Sequence, residues 1–237
     1  LAPSLFTADE QPDWDRRRPE PRGLLARLAC QVLGRREGFT RGVDRSFHYG
    51  LLDDAAGIRN IGMISHLGSM IPVAAGAALS SVQDGADHLA LGFIGEGATS
   101  QGDFHEALNL AGVMRLPLVL VVENNRYAFS TTAEEQYACA RLSDRAAGYG
   151  IAGETVDGTD FAAVWGAMQR AATRARSGGG ATLLECMLPR MRGHAEGDGS
   201  YELIDPELRA AFLQDDPMPR MEAALLATGA CDEARLA

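Results

Sequence analysis

The sequence predicts an α/β fold built on an open parallel sheet with helices on both faces, and three observations carry that prediction. Residues 88–94, HLALGFI, and 116–122, LPLVLVV, are continuous apolar runs bounded by turn signals, as in strands covered on both sides. Between them Phe104, Ala107, Leu108 and Ala111 recur at helical spacing, so the stretch reads as a right-handed strand, helix, strand unit. A helix over 160–176, the turn SGGG and a strand over 181–188, ATLLECML, then repeat the pattern.

The remaining elements follow in chain order. Residues 1–22, rich in Pro and charge and lacking a hydrophobic signal core, are expected to form an arm or linker, or the edge of something longer. Leu24, Leu25, Leu28, Ala29 and Val32 predict one amphipathic helix closed by Gly34. Residues 35–65 are punctuated by glycine and lack a clear period, which predicts an extended surface segment built on turns. The stretch MIPVAAGAALSSV, 70–82, is apolar almost all round with small residues in its middle, so a buried or interface helix is expected. Ser100 and Asp103 are spaced like a capping pair for the helix that carries Phe104. Phe161, Val164, Trp165, Met168 and Ala172 are expected on the packed side of the helix at 160–176. DPELRAAFL and PMPRMEAALLATG end the chain as two short helices separated by Pro217 and Pro219. The expected organisation is therefore an arm over 1–22, an α/β domain over 23–203 and C-terminal helices over 204–237.

Composition narrows the function classes. With 237 residues, 46% of them hydrophobic, the chain can bury a real core. Its formal charge is −10, and all 22 basic residues are Arg, so a long basic stripe for nucleic acid is not expected. Cys30, Cys139, Cys186 and Cys231 are scattered, with neither a CxxC pair nor zinc-finger His spacing. Reduced thiols and a cytoplasmic setting are the default expectation. No apolar run reaches the roughly 18 to 20 residues that span a bilayer, so no membrane partner is expected.

The chemistry concentrates in GFIGEGATSQGDFHEALNLAGVMRLPLVLVVENNRYAFS, residues 92–130. In open α/β sheets ligands sit outside the carboxyl ends of strands. One strand delivers Gly95-Glu96-Gly97 to that edge and the next delivers Asn124-Asn125. Glycines permit close backbone approach to an anion at the start of the following helix, and a carboxylate beside an amide oxygen suits a hard divalent cation. A lone GxG is weak evidence, since a structural turn would look the same. The combination is specific: 26 residues (98–123) separate GEG from NN. That spacing resembles the thiamine diphosphate signature, usually written GDG, some 26 residues, NN.

With SMIPVAAGAAL before it and YGIAGETVDGTDFAAVWGAMQRAATRARSGGGATLLE after it, the segment resembles the alpha subunit of the decarboxylase component of 2-oxo acid dehydrogenase complexes, of pyruvate, branched-chain and acetoin types. The resemblance runs from about Gly23 to the final helices, and it implies a thiamine-diphosphate-binding fold. It further implies Mg²⁺ held by Glu96, Asn125 and the Tyr127 main-chain oxygen, with Asn124 supporting the turn. Gly95, Gly97 and Ala98 would approach the diphosphate. Ser65 and Leu67 would offer backbone groups to the aminopyrimidine ring, although an ordinary core leucine explains Leu67 equally well. PRMRGHAEGDGSYE, 189–202, resembles the family's mobile loop, in which Arg192 is expected to bind cofactor and His194 to act in catalysis. Regulated relatives carry a phosphorylatable Ser after that His, where this chain has Ala195. His105 is expected to make a contact from its helix before any catalytic role.

The resemblance also implies partners: a beta subunit supplying the activating glutamate in an α2β2 assembly, a 2-oxo acid substrate, and a lipoyl or carrier-protein thiol as acyl acceptor. Two departures are visible. Glu96 stands where Asp is usual, so its loop must absorb a methylene. Relatives also carry roughly a hundred further residues before the first helix, with a Tyr-Arg pair that grips the diphosphate, and no such dipeptide occurs here. A separate chain supplying that segment, a different anchoring, or loss of activity would each account for it. A split transketolase-like carbon transferase and a non-catalytic scaffold are the competing readings.

Overall fold

The computed structural model describes residues 23–53, 58–195 and 197–236, so the arm expected over 1–22 lies outside the described residues. The chain divides after His66 into two compact units.

In the first unit α1 spans Leu24–Val32, and Gly34 follows it at φ +63°, the left-handed conformation that ends helices. The glycine-punctuated segment after it is organised by one buried side chain. Gln31, with no exposed surface, donates from Nε2 to the carbonyls of Asp44 and Ser46 at 2.9 Å and accepts from the Thr40 amide at 3.0 Å. A turn-rich segment with few apolar residues thus gains fixed backbone partners. It leads into a short antiparallel pair, β1 at Leu51–Asp53 with β2 at Ile58–Asn60.

The second unit holds the parallel sheet. Helix α2 (Met70–Gln83) precedes β3 (Ala90–Gly95), and α3 (Gly102–Val113) leads to β4 (Leu118–Asn124). A small hairpin follows, β5 at Tyr127–Ala128 with β6 at Thr131–Thr132, running into the single turn α4 (Ala133–Gln136) and a 3₁₀ segment over Leu142–Tyr149. Then come β7 (Ala152–Asp157), α5 (Phe161–Arg176) and β8 (Thr182–Met187). The last helices are α6 (Pro206–Gln214), α7 (Pro217–Ala227) and α8 (Glu233–Leu236). Strand order is β3-β4-β8-β7, all pairs parallel. Ile71, Ala75 and Ala78 of α2 and Phe104, Leu108 and Ala111 of α3 cover one face over Leu118, Leu120 and Val122; Ala167 and Ala171 of α5 cover the other over Val119, Val121 and Leu184. Among the described residues no helix is long and apolar enough to cross a membrane.

Four expectations need correction. Strand β3 is an edge strand, so its sides differ, and Leu91 and Phe93 are 44% and 60% exposed. On α5 the small residues Ala167, Ala171 and Ala175 are the buried ones; Val164 and Met168 pack beside them as expected, but Phe161 and Trp165 stack on each other at the margin, more than half exposed. Ser100 and Asp103 do not cap α3. The N-cap position is Gln101 without a side-chain bond, and the Asp103 carboxylate instead accepts from Ser69 Oγ at 3.0 Å. Pro217 and Pro219 do not lie between α6 and α7 but within the first turn of α7, behind the N-cap Asp216.

Candidate metal and cofactor site

Strands β3 and β4 pair with Gly95 opposite Glu123, so Glu96 and the two asparagines leave the sheet side by side at its carboxyl edge. Beyond β3 the backbone does not enter a long helix at once. It makes a 3₁₀ turn over Glu96–Ser100, and α3 starts only at Gly102. The turn is held from within: Thr99 Oγ1 donates to the Glu96 carbonyl at 2.6 Å, and Arg145 Nη1 donates to the Thr99 carbonyl at 2.9 Å.

Glu96 is 2% exposed. Among the described residues its carboxylate meets one donor, the Asn125 amide at 3.3 Å from Oε2. A carboxylate buried with a single neutral donor calls for a cation. Asn125 Oδ1 accepts from the Tyr127 amide at 3.1 Å, an Asx turn that aims the side-chain oxygen back over its own loop. One guanidinium then links this oxygen to the next. Arg190 Nη1 lies 2.7 Å from the Tyr127 carbonyl and 3.5 Å from Asn125 Oδ1. Arg190 is 5% exposed, and its Nε is buried without a partner.

Asn124 does a different job. It is 1% exposed, donates from Nδ2 to Tyr137 Oη at 2.9 Å and to Glu185 Oε1 at 2.7 Å, and accepts from the Arg126 amide at 3.0 Å. Arg126 itself sits at φ +68°, so the amide bond to Asn124 helps hold an unfavourable backbone turn. Glu185, equally buried, also accepts from the Ser143 amide at 3.2 Å and Thr155 Oγ1 at 2.9 Å. Five segments are tied beneath the site by this one carboxylate and amide. Burial pushes the Tyr137 hydroxyl above its ordinary pKa; the Asn124 bond opposes that rise, and the Glu185 and Glu96 carboxylates add to it.

The two glycines of GEG have distinct reasons. A Cβ on Gly97 would lie 2.6 Å from the Cβ of Ala128, so the β5 strand packed over the turn already excludes a side chain. A Cβ on Gly95 would meet nothing within 4 Å, which leaves open space at the sheet edge. Ala98 is 4% exposed, in the wall of the turn.

The loop after β8 forms a cleft of about 560 Å³ that brings together Asn125, Arg190, Arg192 and His194 with Pro217 and Met218 at the start of α7. Arg192 and His194 are exposed. The imidazole lies against the Phe129 ring with centroids 5.1 Å apart, and the His194 amide donates to Asp198 Oδ2 at 2.9 Å. Phe129 occupies the tip of the β5–β6 hairpin at φ +58°. His105 contacts Tyr149 Oη through Nδ1 at 2.5 Å, a helix-side contact within the chain, and burial lowers its pKa with Arg145 adding to the effect.

Ser65 belongs to the first unit, where its hydroxyl meets His48 Nε2 at 3.0 Å while His48 Nδ1 faces Asp44 Oδ2 at 3.0 Å. Leu67 begins the second unit and is 66% exposed, so it is not a core leucine. Arg190 is the residue that sequence reasoning passed over. It heads the Arg-x-x-Gly-His run, which is the one signal that points to it, and it is the arginine that reaches the Asn125 and Tyr127 oxygens while Arg192 stays exposed.

Among the described residues no three His, Cys, Asp or Glu side chains converge as a metal cluster. The oxygens at the sheet edge are instead one carboxylate, one amide and one carbonyl. That set fits a hard cation such as Mg²⁺, which takes about six oxygens and draws several of them from phosphate and water. The guanidinium already gathered by two of those oxygens is a sign that they favour positive charge.

Residues 23–237 match the family described as dehydrogenase E1 component. The chain is 41% identical over 179 residues to the alpha subunit of acetoin:2,6-dichlorophenolindophenol oxidoreductase of Bacillus subtilis, covering 75% of this chain and 53% of that protein. It is 39% identical over 161 residues to the 2-oxoisovalerate dehydrogenase alpha subunit of the same organism, covering 68% and 49% of the two chains. With the pyruvate dehydrogenase E1 component alpha subunit of Rhizobium meliloti it shares 33% identity over 215 residues, 90% of this chain and 61% of that protein. The matches span about half the length of these relatives. With the strand order, the spacing of GEG and NN, and a match that runs from the first helix to the end, the chain belongs to the dehydrogenase E1 component family.

Proposed function

We propose that this chain is the cofactor-binding alpha subunit of a heteromeric enzyme that decarboxylates a 2-oxo acid and transfers the acyl group to a lipoyl or carrier-protein thiol. The observation that carries the reading is the oxygen set of Glu96, Asn125 and Tyr127 at the carboxyl edge of β3 and β4. These three would hold Mg²⁺. Gly95 leaves the space through which a diphosphate would approach, and the amides of Gly97 and Ala98 would face it. Bound there, thiamine diphosphate supplies a nucleophilic carbon and an electron sink for loss of CO₂. The chain's own residues bind, orient and move protons. His194, exposed in the cleft with the Phe129 ring against it, would carry a proton or orient the acceptor, and Arg192 lines the same cleft. Ser65 and Leu67 would offer backbone groups to the aminopyrimidine ring. The activating glutamate would come from a beta subunit in an α2β2 assembly. The outer face of α2, with Val73 41% exposed and Gly76 bare, is the surface proposed to pack against that assembly.

Titration calorimetry with thiamine diphosphate and Mg²⁺, on the chain with its beta subunit, tests this. The expected result is Mg²⁺-dependent binding that Glu96→Gln weakens at least about a hundredfold, the loss of an ionic metal ligand. Binding indifferent to Mg²⁺ or to Glu96→Gln would overturn the assignment, and no binding at all would favour a scaffold role.

A further inference from the structure

Arg190 lies against two oxygens of the metal site proposed above, and its role rests on that site. A guanidinium this deeply buried ordinarily finds a carboxylate. Among the described residues Arg190 has no ion-pair partner; its hydrogen bonds run to two neutral oxygens, the Tyr127 carbonyl at 2.7 Å and Asn125 Oδ1 at 3.5 Å, and its Nε has none. Those are two of the three oxygens assigned to the cation. The third, the buried Glu96 carboxylate, is bonded to the amide of Asn125, so the loop carrying these oxygens is placed between the negative charge and the guanidinium.

We propose that Arg190 is the resident counter-cation of this loop and exchanges with the divalent metal. Its Nη1 keeps the Asn125 and Tyr127 oxygens in register. A divalent ion bonded to the Tyr127 carbonyl would sit about 2.1 Å from that oxygen and so within about 5 Å of Nη1 in its present place. Like charges at that separation, away from bulk water, repel strongly. The guanidinium therefore leaves as the metal enters, and it retains the free Nε for the anionic ligand that accompanies the ion. Arg190 is thus a positioning residue: it preorganises the site and sets a threshold for metal entry, so that bare metal binds weakly and metal with a polyanion binds well.

Binding of Mn²⁺ alone to the full chain, read from loss of the free-ion electron paramagnetic resonance signal, tests the exchange. Arg190→Gln removes the charge but keeps a donor for the Tyr127 carbonyl, and it should bind Mn²⁺ at least about tenfold more tightly than the parent chain, with Arg190→Lys close to the parent. A purely structural role predicts the opposite, weaker binding as the loop loosens. Equal or weaker binding by a folded Arg190→Gln chain overturns the proposal. A second measurement needs no variant: in a crystal structure of the parent chain with Mn²⁺, Nη1 should have left the Tyr127 carbonyl, and Mn²⁺ bound with that hydrogen bond intact overturns the exchange. Glu96→Gln separates the two readings. If it fails to abolish Mn²⁺ binding, the metal site itself is misassigned and the exchange falls with it; if it abolishes binding while Arg190→Gln brings no gain, the exchange alone is wrong.

Discussion

Glu185 and Cys186 are neighbours on β8 that face opposite layers, and their environments differ accordingly. The carboxylate of Glu185 is answered by three donors from three segments, whereas the Cys186 thiol lies in the apolar layer under α5. Burial pushes the thiol up to about 11, with the Glu123 and Glu185 carboxylates adding to the rise. The folded pKa is raised above the ordinary 9.0, so the neutral thiol contributes stability that is fully present below about pH 9 and is lost as pH climbs through about 11. In urea unfolding, the parent chain should lose roughly 2 kcal/mol more between pH 9 and pH 11 than Cys186→Ala, whose curve lacks this titration. Parallel pH profiles for the two chains would show that the thiol is not the buried acid its surroundings imply. At this scale the sequence was informative where side-chain identity marks a position, as with Glu96 and Asn125, which do meet at the sheet edge. It was silent on which arginine of a loop turns inward, because Arg190 and Arg192 differ in exposure through tertiary packing that no local period encodes. Gly97 was expected for anion approach, and the Ala128 contact adds a steric reason that only the folded hairpin reveals.

The β5–β6 hairpin sets an aromatic ring against His194, a residue that lines the cleft. Its tip places Phe129, a bulky residue, at φ +58°, where an L side chain costs about 1 kcal/mol or more. The strained residue is also the one against the His194 ring. Phe129→Gly should therefore separate fold from positioning. Glycine suits the backbone, so the unfolding free energy should stay within about 1 kcal/mol of the parent. The His194 ring protons should lose the upfield shift of the neighbouring aromatic ring in NMR spectra. An unchanged His194 resonance would mean that the ring contact does not set the imidazole position. Elements were legible in proportion to their burial. β4 and β8, in the sheet interior, read as continuous apolar runs. β7 did not read as a strand because Ala152-Gly153-Glu154 offers neither an apolar run nor strict alternation, and it is the opposite sheet edge, half-buried along its length. The Ser100 and Asp103 cap was misread because spacing identifies a capping pair only if the helix starts where it is assumed to, and the 3₁₀ turn delays that start.

At the scale of the whole chain, the parallel α/β class was legible from alternation of apolar runs and helical faces, but the strand order was not, since placing β8 between β4 and β7 requires the strand that sequence missed. The same gap hid how the C-terminal helices are held. Helix α7 has no fully buried residue, and only Pro217, Met221 and Leu225 are half-buried, so apolar packing anchors it weakly. Its Arg220 reaches the loop between β7 and α5 instead, donating from Nη1 to Asp157 Oδ2 and Thr159 Oγ1 at 2.6 Å each and from Nη2 to Asp160 Oδ2 at 3.0 Å. The Thr159 hydroxyl, with Arg220 beside it, lowers the Asp157 pKa, so the pair stays charged even as pH falls into the ordinary carboxylate range. Because the start of α7 is one wall of the cleft that holds His194, this clamp links the far end of the chain to the site. Arg220→Ala should raise amide hydrogen exchange across 217–227 while β4 and β8 keep their protection, since the sheet core lies in separate contacts. The urea midpoint should move little, because the bonds lost are exposed ones. Salt should mimic the substitution in the parent chain by screening the same pairs, and exchange in α7 that ignores both salt and Arg220→Ala would show that the helix is anchored by something other than this arginine.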